Sequence, residues 1–361
     1  MRILIPILGF GRSGGDRVLS QLANHWLLGG HDVAFIVRQG ETEPYFPTNA
    51  QVIATTSEGE LGLPGPGLSV VSGLARLRLL ALYKGLRAID INSFDIILAN
   101  HNLTTWPVLL ARVPRSRRFY YIQAYEPDYS WSERRLLSWT FAKVSYLLPF
   151  TQIANARVYG NHIGIRPCAI VPAGIDLAAF HPKPNVRDFT DGRRVTLGCI
   201  GRVELVKGTR YVLDAFVELA REDPSIHLRV AYDNLPAGWS HPRCEIVVPR
   251  NDQELSEFYR SLDIMVAPGT VQHGAPHYPV MEALACAVPV ITTGYLPAHG
   301  HNAWLVPNRD SHAIVCAIQA IRFDPNYYSR VERGIAEMRP FAWPVVAASM
   351  MDCFEDRCKR Q

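Results

Sequence analysis

Short apolar runs alternate with amphipathic stretches along the chain. Residues 3–8 (ILIPIL) have the length and composition of a buried strand, and the next stretch repeats apolar side chains at helical spacing from Val18 to Leu27. Glycines end this helix, and 33–37 follow as a second strand. The order predicts a βαβ unit with a right-handed crossover. Further elements of the first half are predicted as strands near 52, 95–99 and 119–122 and as a helix over 74–89.

The second half repeats this alternation. Its strands are predicted near 195–200, 226–231, 245–248, 263–267, 289–292 and 304–306. Because strands and helices alternate in both halves, we predict an α/β protein with two Rossmann-like, doubly wound parallel sheets. Polar residues and prolines interrupt the pattern at 177–194, which places the boundary there. The predicted domains are 1–176, 177–340 and a C-terminal helix within 341–361.

The segment 195–208 (VTLGCIGRVELVKG) joins a predicted buried strand to a predicted helix. The chain turns at Gly201 and presents Arg202 and Lys207 just before the helix. Backbone N–H groups at a helix N-terminus favour negative charge, and an arginine fork beside a lysine point charge suits a diphosphate. The alternative to an anion site is that Arg202 and Lys207 simply lie on a solvated loop, because so short a motif also occurs by chance.

The composition limits the class of protein that the chain can be. The chain has 361 residues, 48% hydrophobic and 19% charged, which predicts two folded domains and not a disordered chain. A net charge of +4 does not indicate a nucleic-acid partner. The seven cysteines are scattered without a C-x-x-C pair, which predicts reduced thiols in the cytoplasm. The apolar N-terminus lacks a signal-peptide cleavage pattern, and no apolar run approaches the roughly 18 residues of a membrane span.

A glycine-rich loop follows the first strand. Residues 9–14 (GFGRSG) match G-x-G-x-x-G, a pattern of dinucleotide sites. The acidic residue expected after the second strand is absent, because Arg38 and Gln39 stand there. Glycines that merely permit a tight turn are an alternative. We favour a third interpretation, in which Gly14–Gly15 let substrate approach the backbone in a cleft that faces the other domain.

Residues 279–290 (PVMEALACAVPV) predict a helix that starts at Pro279 and runs into a buried strand. Glu282 then lies in the first turn, where its charge suits the helix dipole. A carboxylate there can accept hydrogen bonds from vicinal hydroxyls, such as those of a ribose. An ordinary first-turn glutamate is the alternative.

Three histidines are candidate polar groups near strand ends or loops: His101, His273 and His277. Any one alone is more often packed or solvated than catalytic. The sequence has no D-x-D, no H-E-x-x-H and no clustered Cys and His, so no divalent metal site is predicted.

Taken together, these motifs resemble glycosyltransferase family 4, the retaining GT-B enzymes that use nucleotide-diphosphate sugars. Residues 14–37 resemble the family's G-G-x-x-R…L…L-x-x-x-G-H-x-V opening, and 171–176 (VPAGID) resemble its I-P-N-G-V-D segment. Residues 302–307 (NAWLVP) resemble its N-G-x-L-V-P. The stretch 121–129 (YIQAYEPDY) looks like the Q-x-Y-E-P stretch of the bacterial rhamnosyltransferase branch. The resemblance covers nearly the whole chain.

By position, the resemblance implies that Arg202 and Lys207 hold the donor diphosphate and Glu282 the ribose. Gly14–Gly15 would form the floor of the cleft.

The chain also departs from the family pattern. The family often has a glutamate near the donor sugar, eight residues before Glu282, but Gly274 stands there with His273 as the nearest polar neighbour. His273 is therefore the candidate at the sugar. The histidine that mannosyltransferase members have after 119–122 is replaced by Gln123-Ala124.

The expected reaction moves a hexose or deoxyhexose, with retention, from a nucleotide diphosphate to a glycan or polyprenyl-linked acceptor. No metal and no cofactor beyond the nucleotide-sugar co-substrate is expected. The resemblance implies front-face attack, in which the donor phosphate accepts the acceptor's proton, and the Q-x-Y-E-P stretch favours dTDP-rhamnose. Alternatives are a sugar-nucleotide epimerase and a non-catalytic sugar-nucleotide-binding protein. An NADP-dependent oxidoreductase would leave the second half unexplained.

Two stretches of the first domain combine basic residues with leucines and aromatics. They are 74–89, with Arg76 and Lys84, and 134–150, with Trp139. Such stretches suit an anionic membrane surface or a lipid-linked acceptor, and core helices with solvated cations are the alternative. Because family acceptors are often carried on polyprenyl lipids, we expect a cytoplasmic protein in peripheral contact with the inner face of the membrane.

Overall fold

A computed structural model describes residues 1–63, 75–128, 136–182, 184 and 194–359. The chain forms two compact units, Met1–Gly174 with Trp343–Gln361, and Ile175–Ala342. Parts of five predicted features lie outside the described residues. They are position 74 of the predicted helix 74–89, position 129 of the stretch 121–129, positions 134–135 of the stretch 134–150, the linker positions 183 and 185–193, and positions 360–361 of the C-terminal segment.

Strands and helices alternate through both units, as the sequence predicts. The strands are β1 (Arg2–Pro6), β2 (Asp32–Arg38), β3 (Gln51–Thr55), β4 (Leu61–Gly62), β5 (Ile96–Ala99), β6 (Arg118–Ile122), β7 (Thr151–Ala154), β8 (Ala169–Ile170), β9 (Val195–Ile200), β10 (Ile226–Ala231), β11 (Cys244–Val247), β12 (Ile264–Ala267), β13 (Val290–Thr292) and β14 (Trp304–Leu305). The helices are α1 (Gly14–Leu28), α2 (Ala75–Ala88), α3 (Asn102–Leu110), α4 (Leu136–Ser145), α5 (Thr209–Glu222), α6 (Asp252–Arg260), α7 (Tyr278–Ala285), α8 (Ser311–Ile321), α9 (Tyr327–Ala336) and α10 (Trp343–Lys359).

The first unit is built on a sheet with the strand order β4-β3-β2-β1-β5-β6-β7-β8. All neighbouring strands are parallel except β3 and β4. The chain order reverses between β1 and β5, which makes their carboxyl ends the topological switch point of this unit.

Helices cover this sheet, so its central strands are mostly apolar. Ile3, Leu4 and Ile5 of β1 are completely buried. The leucines Leu82 and Leu86 of α2 are also buried, which supports the core-helix interpretation of 74–89. The last helix, α10, packs on α1, and the indole N–H of Trp26 donates to the carbonyl of Ala347 (3.1 Å).

The second unit has the strand order β11-β10-β9-β12-β13-β14, with every neighbouring pair parallel. Its core includes an apolar face of α5, where Val212, Phe216 and Leu219 are buried. The switch point of this unit lies between β9 and β12. The predicted pair of parallel sheets is thus confirmed, with β4 as an antiparallel edge.

Among the described residues, no helix is long and apolar enough to cross a membrane. The seven cysteines all lie in described segments, and none forms a disulfide.

Candidate active site

Two loops meet at the switch point of the second unit. One follows β9 and leads into α5, and the other follows β12 and leads into α7. The backbone N–H of Thr270 in the second loop donates to the carbonyl of Val206 in the first (2.8 Å). Because ligands of open α/β sheets bind at the carboxyl ends of strands beside the switch point, these loops form the candidate active site.

The N-terminus of α5 is not capped by any side chain of the described residues. Its N-cap is Gly208, whose φ of 76° lies in the left-handed region that favours glycine. A β-carbon at this position would collide with the carbonyl of Pro268. The first turn of α5 holds no acidic residue. The positive end of this helix is therefore available to an anion.

Arg202 and Lys207 lie on the loop before this helix. The backbone N–H of Arg202 donates to the hydroxyl of Thr209 (3.2 Å), which donates to the carbonyl of Ile200 (3.4 Å). Lys207 ends a 3-10 turn directly before Gly208. These bonds close the loop on itself and hold both cations beside the helix N-terminus.

The two cations are close enough to repel each other. Burial and then the charge of Arg202 lower the pKa of Lys207, against the opposing carboxylate of Glu204. In the described part of the chain, no carboxylate lies within ion-pair distance of Arg202 or Lys207. Arg202 is exposed and lines a cavity of about 440 Å³ beside α5. Two neighbouring cations without a carboxylate partner suit a diphosphate, because its negative charges would pair with both of them.

Gly201 lies directly after β9, as predicted from the turn. Its backbone N–H donates to the carbonyl of Ala231 at the end of β10 (2.8 Å). This amide is therefore engaged within the sheet, and the role of Gly201 is to turn the chain toward Arg202.

The loop after β12 has Gly274 at the position where the family that the sequence resembles often has a glutamate. Gly274 has a φ of 83°, and its N–H donates to the carbonyl of Gly294 (2.8 Å). A side chain at this position would strain the backbone. The neighbouring His273 contacts the carbonyl of Gly269 through Nε2 (3.0 Å) and packs edge-on against Tyr295.

His277 is the N-cap residue of α7 and interacts electrostatically with Arg202 and Lys207. Burial, then the charges of Lys207 and Arg202, lower its pKa to about 3, so the imidazole is neutral at physiological pH. Its Nδ1 is buried and has no hydrogen-bond partner among the residues described. His277 precedes a helix that starts beside a proline, but the sequence alone did not distinguish it from His273.

The prediction that Glu282 lies in the first turn of its helix is wrong. The helix begins at Tyr278, one residue before Pro279, and its first turn holds no acidic residue. Backbone N–H groups in the first turn of a helix have no partner within the helix, so a proline fits at any position of that turn. Pro279 therefore does not identify the first residue of the helix. Glu282 is 2% exposed, and Tyr259 donates its hydroxyl to Oε2 (2.8 Å). Burial and this carboxylate raise the pKa of Tyr259 well above its usual range.

The glycine-rich loop of the first unit has a different local structure. Gly14 and Gly15 are the first residues of α1, and Ser13 caps that helix. The hydroxyl of Ser13 accepts from the N–H of Asp16 (3.2 Å), while the Asp16 carboxylate accepts from the N–H of Ser13 (3.2 Å). Over Gly15 lies the amide of Gln123, 3.5 Å from where a β-carbon would stand.

The Q-x-Y-E-P stretch follows β6 and is fixed by its glutamate. The Glu126 carboxylate accepts from the backbone N–H of Asn102 (3.0 Å) and from the hydroxyl of Tyr120 (3.0 Å). The ring of Tyr125 stacks on His162 with centroids 3.5 Å apart. His101, the third candidate histidine, caps α3 by accepting the N–H of Leu103 at Nδ1 (3.1 Å), which is a structural role.

Charged side chains do not gather into a metal site in the described ranges, where no group of three or more His, Cys, Asp or Glu could hold an ion.

Comparison with known proteins relates the second unit to sugar transfer. Residues 194–322 match the family model described as Glycosyl transferases group 1, a range that includes Arg202, Lys207 and Glu282. The chain is 29% identical over 217 residues to a D-inositol 3-phosphate glycosyltransferase of Corynebacterium glutamicum, covering 52% of this chain and 51% of that protein. It is 26% identical over 234 residues to the protein of the same name from Streptomyces bingchenggensis, covering 54% and 50%. The chain spans about half the length of the curated relatives it matches.

Solved structures resemble the whole chain. Sucrose-phosphate synthase from Thermosynechococcus elongatus superposes with a TM-score of 0.74 at 17% identity, covering 100% of both chains. Anabaena HepE in complex with UDP-glucose gives a TM-score of 0.69 at 15% identity, covering 99% of this chain and 100% of that one. The chain therefore has the GT-B fold, as predicted, and its residues 194–322 are similar to the glycosyl transferases of group 1.

Proposed function

We propose that the protein is a glycosyltransferase that takes its sugar from a nucleotide-diphosphate donor. The observation that carries this proposal is the uncapped N-terminus of α5, flanked by Arg202 and Lys207 without ion-pair partners in the described residues. The match of 194–322 to the group 1 glycosyl transferases supports it, as does the similarity in fold to a protein solved with UDP-glucose.

In this proposal the sugar–phosphate bond breaks at the anomeric carbon while a new bond forms to an acceptor hydroxyl. Negative charge grows on the leaving diphosphate, where Arg202, Lys207 and the dipole of α5 are already oriented. The proton of the acceptor hydroxyl passes to a phosphate oxygen of the donor. No side-chain nucleophile is needed for such front-face attack, which agrees with a glycine at 274 and implies retention.

Further residues take supporting roles. Glu282 would accept the ribose hydroxyls, as the resemblance implies, because a carboxylate has about four lone-pair sites. His273 would contact the donor sugar, and the neutral imidazole of His277 would lie at the diphosphate. Gly14–Gly15 would belong to the acceptor side, as the resemblance implies.

The finer assignments are also proposals. A hexose or deoxyhexose is the expected sugar, with no metal, and the Q-x-Y-E-P stretch favours dTDP-rhamnose and a glycan acceptor in polysaccharide synthesis. The curated relatives are named for D-inositol 3-phosphate, so this compound belongs among the acceptors to be tried.

A thermal-shift panel of UDP-, dTDP- and GDP-sugars tests the donor. A donor that binds only the folded protein raises its melting temperature by mass action. We expect one nucleotide class to stabilise the protein and Arg202→Ala to abolish the shift. Arg221→Ala, an exposed arginine at the opposite end of α5, is the matched control. A panel without any shift would contradict the proposal.

Product analysis with the selected donor separates the alternatives. A transferase gives an acceptor-linked sugar, whereas an epimerase isomerises the donor without acceptor, and a binding protein leaves it unchanged.

We also propose that α4 contacts an anionic membrane surface. Of the two predicted stretches, α4 exposes an apolar side: Leu136, Leu137 and Phe141 are each more than half exposed. The ammonium of Lys143 lies 4.6 Å from the ring centre of Trp139, a pairing of cation and aromatic that suits the headgroup region.

Sedimentation with phosphatidylglycerol vesicles tests this contact. Binding should fall with added salt and with Phe141→Ser, while Arg76→Glu on α2 should leave it unchanged. Absence of binding at low salt would remove the idea.

A further inference from the structure

Three side-chain amides follow three neighbouring strands of the first unit. Asn102 comes shortly after β5, Gln123 directly after β6 and Asn155 directly after β7. These strands are parallel neighbours, so their carboxyl ends meet at one edge of the sheet. The edge adjoins the switch point, where the amide of Asn100 donates to the carbonyl of Pro6 at the end of β1 (2.9 Å).

The three amides are held in place through their backbones and neighbours. The side-chain N–H of Asn155 donates to the backbone carbonyl of Gln123 (2.8 Å), and the hydroxyl of Tyr159 donates to the same carbonyl (3.3 Å). The backbone N–H of Asn102 is fixed by the carboxylate of Glu126 (3.0 Å). The three positions therefore form one connected group.

Each amide keeps an oxygen that nothing satisfies. Oδ1 of Asn102, Oε1 of Gln123 and Oδ1 of Asn155 are buried and have no hydrogen-bond partner within the described chain. Asn102 is 5% exposed and Asn155 is 6% exposed. Buried carbonyl oxygens without partners are costly and uncommon, so three at one sheet edge call for an explanation.

The chemistry of the three atoms specifies what would satisfy them. Amide oxygens only accept hydrogen bonds, so the ligand must present several donors in a small volume. The carboxylate beside them, Glu126, is an acceptor as well, and it opposes an anionic ligand. His101 is already engaged there, because its Nδ1 accepts the N–H of Leu103 and its Nε2 lies 3.8 Å from the Glu126 carboxylate. A ring with several uncharged hydroxyls fits these conditions.

We propose that Asn102, Gln123 and Asn155 form a site in the first unit for the hydroxyl groups of an uncharged sugar or polyol ring. Calling this ring the acceptor rests on the proposed glycosyltransferase function. Gln123 is the central member, because its side chain also lies over Gly15 at the N-terminus of α1.

Ligand-observed NMR tests the site with methyl α-glycosides of glucose, galactose, mannose and rhamnose and with myo-inositol as probes. We expect at least one probe to bind the full chain. Gln123→Met, which keeps the length of the side chain without the amide, should weaken that probe about tenfold or more. Gln123→Glu, which keeps the acceptor oxygens, should preserve binding. Gln51→Met, at the exposed start of β3, is the matched control.

Two results would overturn the site. One is a panel in which no probe binds the wild-type protein, and the other is equal affinity in the wild type and in folded Gln123→Met. Should Gln123→Met not fold, Asn155→Asp replaces it. That variant keeps an acceptor oxygen but loses the N–H to Gln123, and it must alter probe affinity for the site to stand.

The donor panel in the same preparation separates this inference from the proposed function. Donor stabilisation without any bound probe would remove this site alone. Probe binding that depends on Gln123, without stabilisation by any nucleotide sugar, would remove the donor assignment alone.

Discussion

The N-termini of α1 and α5 have equivalent places in their units and differ in how their backbone amides are satisfied. Each helix follows the first strand of its unit through a glycine-containing loop. In α1, Ser13 and Asp16 form a capping box, and Asp16 places a negative charge in the first turn. In α5, Gly208 offers no side chain, the first turn has no acid, and Arg202 and Lys207 add positive charge.

This difference shows why the glycine pattern alone misleads. The loop of α1 matches G-x-G-x-x-G, yet its helix already holds its own carboxylate where a pyrophosphate would bind. The loop of α5 lacks that pattern, yet its helix end lacks negative charge. The dinucleotide interpretation of the first loop is therefore disfavoured by the capping residues, which are a better guide to an anion site than the glycines.

The largest expected effect comes from the cations at α5. Arg202→Ala and Lys207→Ala should each remove about 2–4 kcal/mol of transition-state stabilisation, because the charge on the leaving diphosphate loses a partner. Steady-state kinetics with the donor selected by thermal shift measures this as a loss in kcat/KM. Arg221→Ala should behave as the wild type, and unchanged kinetics in both site variants would contradict the assignment.

A pH effect should accompany the same cluster. His277 has a pKa of about 3 in the folded protein, whereas an unfolded histidine titrates near 6.5. Between these values unfolding takes up a proton, so His277 makes the free energy of unfolding fall as the pH drops from about 6.5 toward about 3, by at most about 1.4 kcal/mol per pH unit. Urea denaturation of the wild type and His277→Gln at several pH values measures it. The variant should show the shallower dependence, and parallel curves would show that His277 is not held neutral.

The smallest effect is expected at α1. Ser13→Ala removes the cap and should lower the free energy of unfolding by about 1 kcal/mol. Because this helix end is proposed to bind no diphosphate, donor affinity should stay at the wild-type value. Chemical denaturation and titration calorimetry on the same variant measure both quantities. A large loss of donor affinity would move the anion site to the first unit.

Much of the fold could be predicted from the periodicity, and the exceptions have physical causes. The apolar pattern did not predict β7, because this strand contains the polar residue Gln152. Gln152 is buried, and its side-chain amide donates to the carbonyls of Tyr146 (2.7 Å) and Gly164 (2.9 Å). The pattern did not predict α3 either, because Pro107 lies inside this helix and two of its residues are threonines. The hydroxyls of Thr104 and Thr105 donate to backbone carbonyls of the same segment.

The candidate site was predictable only in part. Arg202 and Lys207 are close in sequence to the helix that orients them, so a local pattern reveals them. His277 acquires its environment from a loop about 70 residues away, which no local pattern contains. The amides at 102, 123 and 155 meet through strand order, although a polar residue directly after a buried strand is a signal that could have drawn attention to them.

A crystal structure of the protein with the nucleoside diphosphate selected by the thermal-shift panel would show directly whether Arg202 and Lys207 bind the donor. We predict that the diphosphate oxygens lie within hydrogen-bond distance of the first backbone amides of α5 and of the Arg202 and Lys207 side chains. A diphosphate bound at the N-terminus of α1, or anywhere away from these two cations, would show that Arg202 and Lys207 do not form the donor site.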